Sequence, residues 1–158
     1  MKIFVLLPRI PWTLEKGDKL RAFNQIKQLA KDNEDVLCAL NAESKVNKEE
    51  AFRALQPYCV SISFIDIKKT SVLFNTFAAF FKGIPFQCGY FYNKKANKKI
   101  QNLIKKHKPD MLFGQLLRVA QYIRHEKTLK TIDYQDVFSM GMKRRYDIAP
   151  FYLKPFFN

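Results

Sequence analysis

Glycine and acidic residues are scarce in this sequence. Only 5 of its 158 residues are glycine, and the three closely spaced glycines of the G-x-G-x-x-G fingerprint are missing, which excludes a standard NAD site. The first apolar run, 3–7, ends at Pro8. It is far shorter than the core of a signal peptide or a membrane span, so it is predicted to be the first strand of a folded domain.

Cysteine and histidine are also few. The three cysteines, Cys38, Cys59 and Cys88, are odd in number and lack C-x-x-C spacing, which argues against a disulfide framework and favours a reducing, cytoplasmic compartment. They are interpreted as small buried apolar residues. His107 and His125 lie outside any cluster with metal-ligand spacing, so neither a metal nor another cofactor is expected.

Positive charge is in excess. The chain has 28 lysines and arginines against 14 acidic residues, a formal net charge of +14. Such an excess predicts an anionic partner, which could be nucleic acid, a phosphorylated substrate or the inner leaflet of a membrane. No RNP, KH or zinc-finger pattern occurs, and the aromatic residues lie mostly within apolar runs, so nucleic acid is not the expected partner.

Strand-like and helix-like segments alternate along the chain. Strands are predicted at 2–7, 35–41, 59–65, 111–114 and 129–134, and helices after Asp18 and at 47–56, 71–82, 93–107 and 116–124. This order predicts an α/β fold with a Rossmann-like, mostly parallel sheet and helices on both faces. With 158 residues, 47% of them hydrophobic, the chain suits a single domain.

The loop between the first strand and the first helix is the strongest functional signal. It ends in Lys16-Gly17-Asp18, at the carboxyl edge of the predicted sheet. Ligands bind at this edge in such folds, and the N-terminus of a helix favours anionic groups. The alternative is local, with Gly17 turning the chain and Asp18 capping the helix.

Several short motifs occur in a consistent order. They are the loop 8–21, Tyr58-Cys59, Pro85-x-Gln87-x-x-Tyr90-Phe91, Asp110 with Gln115, Arg118 and Tyr122, and Asp133-Tyr134-Gln135-Asp136 with Ser139. Together they resemble the amino-terminal domain of group 1 (family 4 type) glycosyltransferases, particularly a bacterial exopolysaccharide-associated branch. The resemblance spans nearly all of the chain.

The resemblance implies one half of a GT-B architecture, in which two Rossmann-like domains face a cleft. The first domain mainly binds the acceptor, and the second, whose glutamate motif is absent here, holds the nucleotide sugar. The expected function is acceptor binding in a hexosyltransferase-type enzyme that moves sugar from a nucleotide-sugar donor to a glycan or glycolipid acceptor, in cell-surface polysaccharide synthesis. Transfer is expected to proceed with retention and without metal.

The same resemblance implies a C-terminal donor-binding domain as partner, so this domain alone is expected to be inactive. The apolar, aromatic tail at 148–158 also predicts a domain cut from a longer protein. Two alternatives stay open. One is a non-catalytic nucleotide-binding Rossmann module, and the other is a basic nucleic-acid-binding domain.

Site residues are predicted after three strands. Gln115 and Asp136 are the predicted catalytic residues, although Gln115 and Gln135 stand where many family members carry histidine. The predicted substrate-binding residues are Lys16, Gly17, Asp18, Lys19, Arg21, Arg118 and Tyr122. Gly17 would let a diphosphate or sugar approach the backbone, and Arg118 could donate paired hydrogen bonds to phosphate.

Each of these residues has an ordinary alternative. Lys16, Lys19 and Arg21 could form a solvated helix face. Arg118 could cap or pair locally while Tyr122 packs, and Asp136 could cap the next helix.

The segment 93–107 is a basic amphipathic helix. Six lysines surround Ile100, Leu103 and Ile104, a pattern that fits a solvated face over a core stripe. The functional alternative is docking on an anionic membrane, helped by Phe74, Phe77, Phe80 and Phe81 if these are exposed. The domain is therefore expected in the cytoplasm, with peripheral attachment at the inner membrane face.

Overall fold

A five-stranded parallel sheet forms the centre of the computed structural model, which describes residues 1–43, 46–67, 92–135, 146–148 and 150. The strands are β1 (Lys2–Leu7), β2 (Glu34–Asn41), β3 (Ser61–Asp66), β4 (Met111–Gln115) and β5 (Leu129–Asp133). Their order in the sheet is β3-β2-β1-β4-β5, and every neighbouring pair is parallel. The predicted Rossmann-like α/β fold is confirmed.

Four helices connect these strands in the described part of the chain. They are α1 (Gly17–Leu29), α2 (Lys48–Leu55), α3 (Lys94–His107) and α4 (Ala120–Ile123), with 3₁₀ turns at Gln56–Tyr58 and Leu117–Val119. The predicted helix at 116–124 is therefore divided into a 3₁₀ turn and one turn of α-helix. Its first residue, Leu116, has φ 65°, which no α-helix can include.

For three features predicted from the sequence, the structure gives no comparison. The helix expected at 71–82 with its phenylalanines, the residue Cys88 and the tail at 151–158 lie outside the described residues.

Helix capping agrees with the sequence at α2 and differs at α1. The Asn47 side chain accepts hydrogen bonds from the N–H groups of Glu49 and Glu50, as expected for an N-cap. At α1 the cap position is Lys16, without a side-chain hydrogen bond, and the helix begins at Gly17. Asp18 lies in the first turn, where Arg9 contacts its carboxylate at 3.2 Å. Asp18 is therefore not the N-cap residue, but its carboxylate does accept a free backbone N–H of the first turn, that of Lys19 at 3.0 Å.

The sheet is buried on both faces. Side chains such as Phe4, Leu6 and Cys38 pack under α3 and α4, and their neighbours Val5 and Leu37 pack under α1 and α2. Continuous apolar strands of this kind are typical of parallel sheets covered by two helical layers. The core therefore lies on both faces of the sheet at β1 and β2. Polar side chains lie mainly at the ends of the strands.

Asp35 is an exception within this core. It lies at the start of β2 and is fully buried, and neither carboxylate oxygen has a hydrogen-bond partner among the described residues. Burial raises the pKa of this carboxyl to about 6. It lies at the amino edge, opposite the edge predicted to bind ligands.

Connections diverge between β1 and β4. From β1 the chain continues to β2 and β3 on one side, whereas β4 and β5 lie on the other side. The loops that follow β1 and β4 lead to helices on opposite faces of the sheet, and we call the position between their starting points, at the carboxyl edge, the crevice. Open α/β sheets bind ligands at such a switch point, outside the carboxyl ends of the strands.

Candidate functional site

Gln115 lies at this switch point. It ends β4 and is 1% exposed. Its amide Nε2 lies 3.4 Å from the Asp18 carbonyl oxygen and 3.4 Å from the Gln25 Oε1 atom, distances that are long for hydrogen bonds. The structure thus brings Gln115 next to Gly17 and Asp18, and the Gln115 amide faces α1.

Gly17 forms the exposed N-terminus of α1. A Cβ atom built at this position would meet nothing within 4 Å. Packing therefore does not require glycine here, and space is open beside the backbone. The first N–H groups of a helix, together with its dipole, favour an anionic group in such a space.

Lys19 and Glu43 form a buried ion pair beside this helix end. The Lys19 ammonium lies 2.9 Å from the Glu43 carboxylate and 2.9 Å from the Trp12 carbonyl oxygen, and only 5% of the lysine side chain is exposed. The alternative that Lys19 belongs to a solvated helix face is therefore wrong. Lys19 fastens the β1–α1 loop to the residues that follow β2.

Glu43 contacts two further cations, Lys16 at 3.7 Å and Arg9 at 3.8 Å. Burial acts to raise the pKa of Glu43, but the hydrogen bond from Lys19 and the charges of the three cations lower it overall. With Asp18 included, the cluster has three positive and two negative side chains. It keeps a net positive charge, and Lys16, with 60% of its side chain exposed, is its most accessible cation.

Asp133, at the end of β5, contacts α1 directly. Both oxygens of its carboxylate accept hydrogen bonds from the Arg21 guanidinium at 3.1 Å, and Gln25 donates a third at 2.6 Å. The Gln135 N–H donates another at 3.0 Å. Burial acts to raise the pKa of Asp133, yet these hydrogen bonds and the Arg21 charge lower it overall. Arg21 is thus bound to the end of β5.

Two residues at this edge have an unusual backbone conformation. Leu116 follows β4 with φ 65° and Gln135 follows β5 with φ 60°, and the Leu116 N–H donates to the Asp133 carbonyl at 2.7 Å. For residues other than glycine, such conformations cost about 1–3 kcal/mol and concentrate at functional sites. Their position after neighbouring strands agrees with a site here.

Gly114 permits the close turn after β4. A Cβ atom at this position would lie 3.0 Å from a Val119 methyl carbon and 3.3 Å from an Ile123 methyl carbon. A larger residue would require these side chains to shift by a few tenths of an ångström, so glycine favours the close approach of the 3₁₀ turn and α4 to the strand. This role depends on contacts between elements and is not visible in the sequence.

Arg118, Tyr122 and Asp136 are the remaining predicted site residues, and each has a different position. Arg118 is half-buried in the 3₁₀ turn that follows β4, at the same edge. Tyr122 is 2% exposed, its hydroxyl accepts the Asn93 N–H at 3.0 Å and its ring lies 5.4 Å from that of Tyr92. Tyr122 therefore packs in the core and has no surface to offer a substrate. Asp136 lies outside the described residues.

Glu43 and Asp133 are the site residues that sequence reasoning missed. Both are acidic residues at or just after the carboxyl end of a strand. This position is the sequence signal that could have identified them as site residues. Asp133 occurs in the motif Asp133-Tyr134-Gln135-Asp136. Its pairing with Arg21 could not be predicted, because the two residues are 112 positions apart in the sequence.

The thiols of the two described cysteines are weakly acidic. Cys38 is buried and Cys59 half-buried. Burial raises the pKa of both thiols to about 12, and the Asp35 charge adds to the effect at Cys59. Within the described ranges, no group of three or more histidine, cysteine or acidic side chains could hold a metal ion.

The molecule is thus a Rossmann-like α/β domain with Gln115 at its switch point and a net positive side-chain cluster beside the N-terminus of α1, on the side of β2. A solved structure with this architecture is TcCGT1 in complex with UDP, a glycosyltransferase, with a TM-score of 0.54 over 94% of the present chain at 15% sequence identity. At this identity the similarity shows the fold alone. The present chain spans 34% of that chain's length. No family model and no curated protein matches the sequence.

Proposed function

We propose that this domain is the amino-terminal, acceptor-binding half of a GT-B glycosyltransferase of the family 4 type. The complete enzyme would transfer sugar from a nucleotide-sugar donor to a glycan or lipid-linked acceptor in cell-surface polysaccharide synthesis. The observation that carries the proposal is the crevice between β1 and β4. There the N-terminus of α1 at Gly17 has open space beside it, and a net positive cluster lies on its β2 side, in a fold similar to that of a glycosyltransferase solved with UDP.

Positive charge at this edge would assist the transfer, in addition to the groups of the donor-binding domain. As the acceptor oxygen bonds to the anomeric carbon, the bond to the diphosphate breaks and the diphosphate leaves with the electron pair. Lys16 and the N-terminus of α1 are available to stabilise that developing charge. Arg9 and Lys19 are engaged by Asp18 and Glu43, so their role is to position the loop.

Three further residues complete the proposal. Gln115 is buried against α1, so we assign it the positioning of the helix against β4. Asp136 follows the last residue of β5 in the sequence Asp133-Tyr134-Gln135-Asp136. We assign it to the acceptor hydroxyl, whose proton must be accepted during transfer. Arg118 is assigned to an anionic group of either substrate.

Binding experiments on the 158-residue chain test the proposal. Calorimetric titration with UDP-glucose, GDP-mannose and soluble oligosaccharide acceptors, one of them phosphorylated, should detect acceptor binding without turnover of the nucleotide sugars. Lys16→Gln should weaken binding of a phosphorylated acceptor about three- to tenfold, since it removes one partly exposed charge-assisted contact. Lys31→Gln, which removes an exposed lysine at the opposite edge, is the matched control and should leave the affinity unchanged.

Three results would contradict the proposal. Robust sugar transfer by this chain alone would show that it is not one half of the enzyme. Tight binding of a free nucleotide with no response to any acceptor would favour a nucleotide-binding module. Equal effects of Lys16→Gln and Lys31→Gln would show that the acceptor does not bind at the crevice.

A further inference from the structure

Helix α3 presents one continuous basic surface. Six lysines, Lys94, Lys95, Lys98, Lys99, Lys105 and Lys106, are all exposed, and we call them the lysine face. The buried residues Ala96, Ile100 and Ile104 form the opposite side of the helix. At 3.6 residues per turn the six lysines lie within one arc that points away from the sheet. The helix contains no acidic residue.

This arrangement is unfavourable for the isolated domain. Lys94 and Lys95 lie in the first turn, where the helix dipole disfavours positive charge, and no acidic side chain occurs in that turn. Lysines spaced four residues apart, such as Lys94 and Lys98, repel each other. The helix is held by its Asn93 cap, which accepts the Ala96 N–H at 3.0 Å, and by its buried stripe.

The lysine face has little internal compensation for its charge. Across the described residues, the ion pairs involve other cations, and none of the six lysines pairs with a carboxylate. The charge of Lys99 helps to lower the pKa of Asp66, but that carboxylate is paired with Lys48 at 2.7 Å. A sequence that keeps an unfavourable charge pattern without compensation points to a functional surface. The compensation would come from an external anion.

We propose that the lysine face docks this domain on an anionic lipid bilayer. The helix carries no arginine to donate paired hydrogen bonds and no exposed aromatic ring on which a base could stack. Compact ammonium groups spread over roughly 20 Å of helix suit a diffuse, planar charge. In the part of the chain that the structure describes, no helix is long and apolar enough to cross a membrane. The inference depends on α3 alone and not on sugar transfer.

The position of α3 relates this surface to the crevice. Its C-terminus leads through Lys108–Asp110 into the start of β4, so its N-terminus lies toward the carboxyl edge of the sheet. The contact between Asn93 and Tyr122, a residue that follows β4, agrees with this direction. Lys94 and Lys95 therefore lie near the edge that carries the candidate site.

Vesicle sedimentation of the 158-residue chain tests the proposal. Wild type should bind vesicles of phosphatidylcholine with phosphatidylglycerol, bind phosphatidylcholine alone weakly, and be released by salt, which screens exposed charges over roughly 10 Å at 0.1 M. K94Q/K95Q/K98Q/K99Q should reduce partitioning at least about 30-fold, since each lysine adds to the attraction. The matched control, K27Q/K31Q/R53Q/K127Q, removes the same charge from exposed positions elsewhere and should change partitioning less than about threefold.

Circular dichroism of both variants should show the helix content of the wild type, because removing the repulsion between lysines favours α3. Equal binding to neutral and anionic vesicles would overturn the proposal. An equal loss in both variants would assign the effect to total charge and not to α3. Tighter binding of an oligonucleotide duplex, abolished by the same four substitutions, would make the lysine face a nucleic-acid surface instead.

Discussion

The Arg21 guanidinium and the Asp133 carboxylate meet in two hydrogen bonds of 3.1 Å although the residues are 112 positions apart. Arg21 belongs to α1, which follows β1, and Asp133 ends β5. The pair therefore links the first helix to the last strand across the crevice. The segment after β5, which contains Asp136, starts from a point fixed by α1.

Loss of the Asp133 carboxylate should destabilise the fold. Asp133→Ala is expected to lower the free energy of unfolding by about 1–2 kcal/mol, a modest value because Arg21 is half-exposed and the pair is partly screened. Since the pKa of Asp133 is lowered in the fold, this contribution is present at neutral pH and disappears as the pH falls through that pKa. Urea unfolding at several pH values measures it. Asp32→Ala, at an exposed position, should show no such loss.

The Lys19–Glu43 pair should respond asymmetrically to mutation. Glu43→Gln leaves the buried Lys19 ammonium beside two other cations and should cost about 1–3 kcal/mol of unfolding free energy. Lys19→Met leaves Glu43 with Arg9 and Lys16, so its cost should be smaller. Chemical denaturation of both variants gives the comparison. A greater cost for Lys19→Met would contradict the buried charge cluster.

The buried Asp35 carboxyl should make stability depend on pH. Because its pKa is raised to about 6, the folded state holds a proton more tightly than the unfolded chain, so this group's contribution falls as the pH rises from about 4 to 6. Asp35→Asn should remove that loss and gain on the order of 2 kcal/mol relative to wild type between pH 4 and pH 8. Thermal unfolding across this range tests it, with Asp32→Asn as the control. A parallel pH profile for wild type and Asp35→Asn would contradict the prediction.

Two glycines at the crevice should behave oppositely. Gly114→Ala forces a Cβ atom against Val119 and Ile123 and should cost about 1–3 kcal/mol of unfolding free energy. Gly17→Ala meets open space and should leave stability unchanged or raise it by about 0.5 kcal/mol. Unfolding curves of the Gly114→Ala and Gly17→Ala variants measure the two effects on stability. If Gly17→Ala also weakens acceptor binding, the loss must arise from the ligand, since the fold is intact.

Much of the fold follows from local patterns in the sequence. These patterns predict the first strand at its observed limits and the others within one or two residues, because apolar β-prone runs buried on both faces are distinctive. The Asn47 cap is equally readable. The split of the helix after β4 is not, because it follows from the backbone of Leu116 and from the contacts around Gly114.

The candidate site is less predictable than the fold. The position of Gly17, Asp18 and Gln115 at one edge follows from parallel topology, and the structure places them there. The partners of Lys19 and Arg21 do not follow, since their carboxylates lie 24 and 112 residues away in the sequence. Amphipathic spacing treats both as surface residues, which is right for Arg21, with 52% of its side chain exposed, and wrong for the buried Lys19. Tyr122 shows the reverse error, because a polar ring near a strand end is buried under α3.

The direction of α3 has a consequence for orientation. Its buried stripe rests on the sheet and its lysine face points outward, so a flat bilayer touching that face would lie parallel to the plane of the sheet. The strand axes would then run along the membrane surface, and the crevice would open sideways. A lipid-linked group could reach it from the bilayer plane, while a water-borne partner could approach from the side that faces the solution.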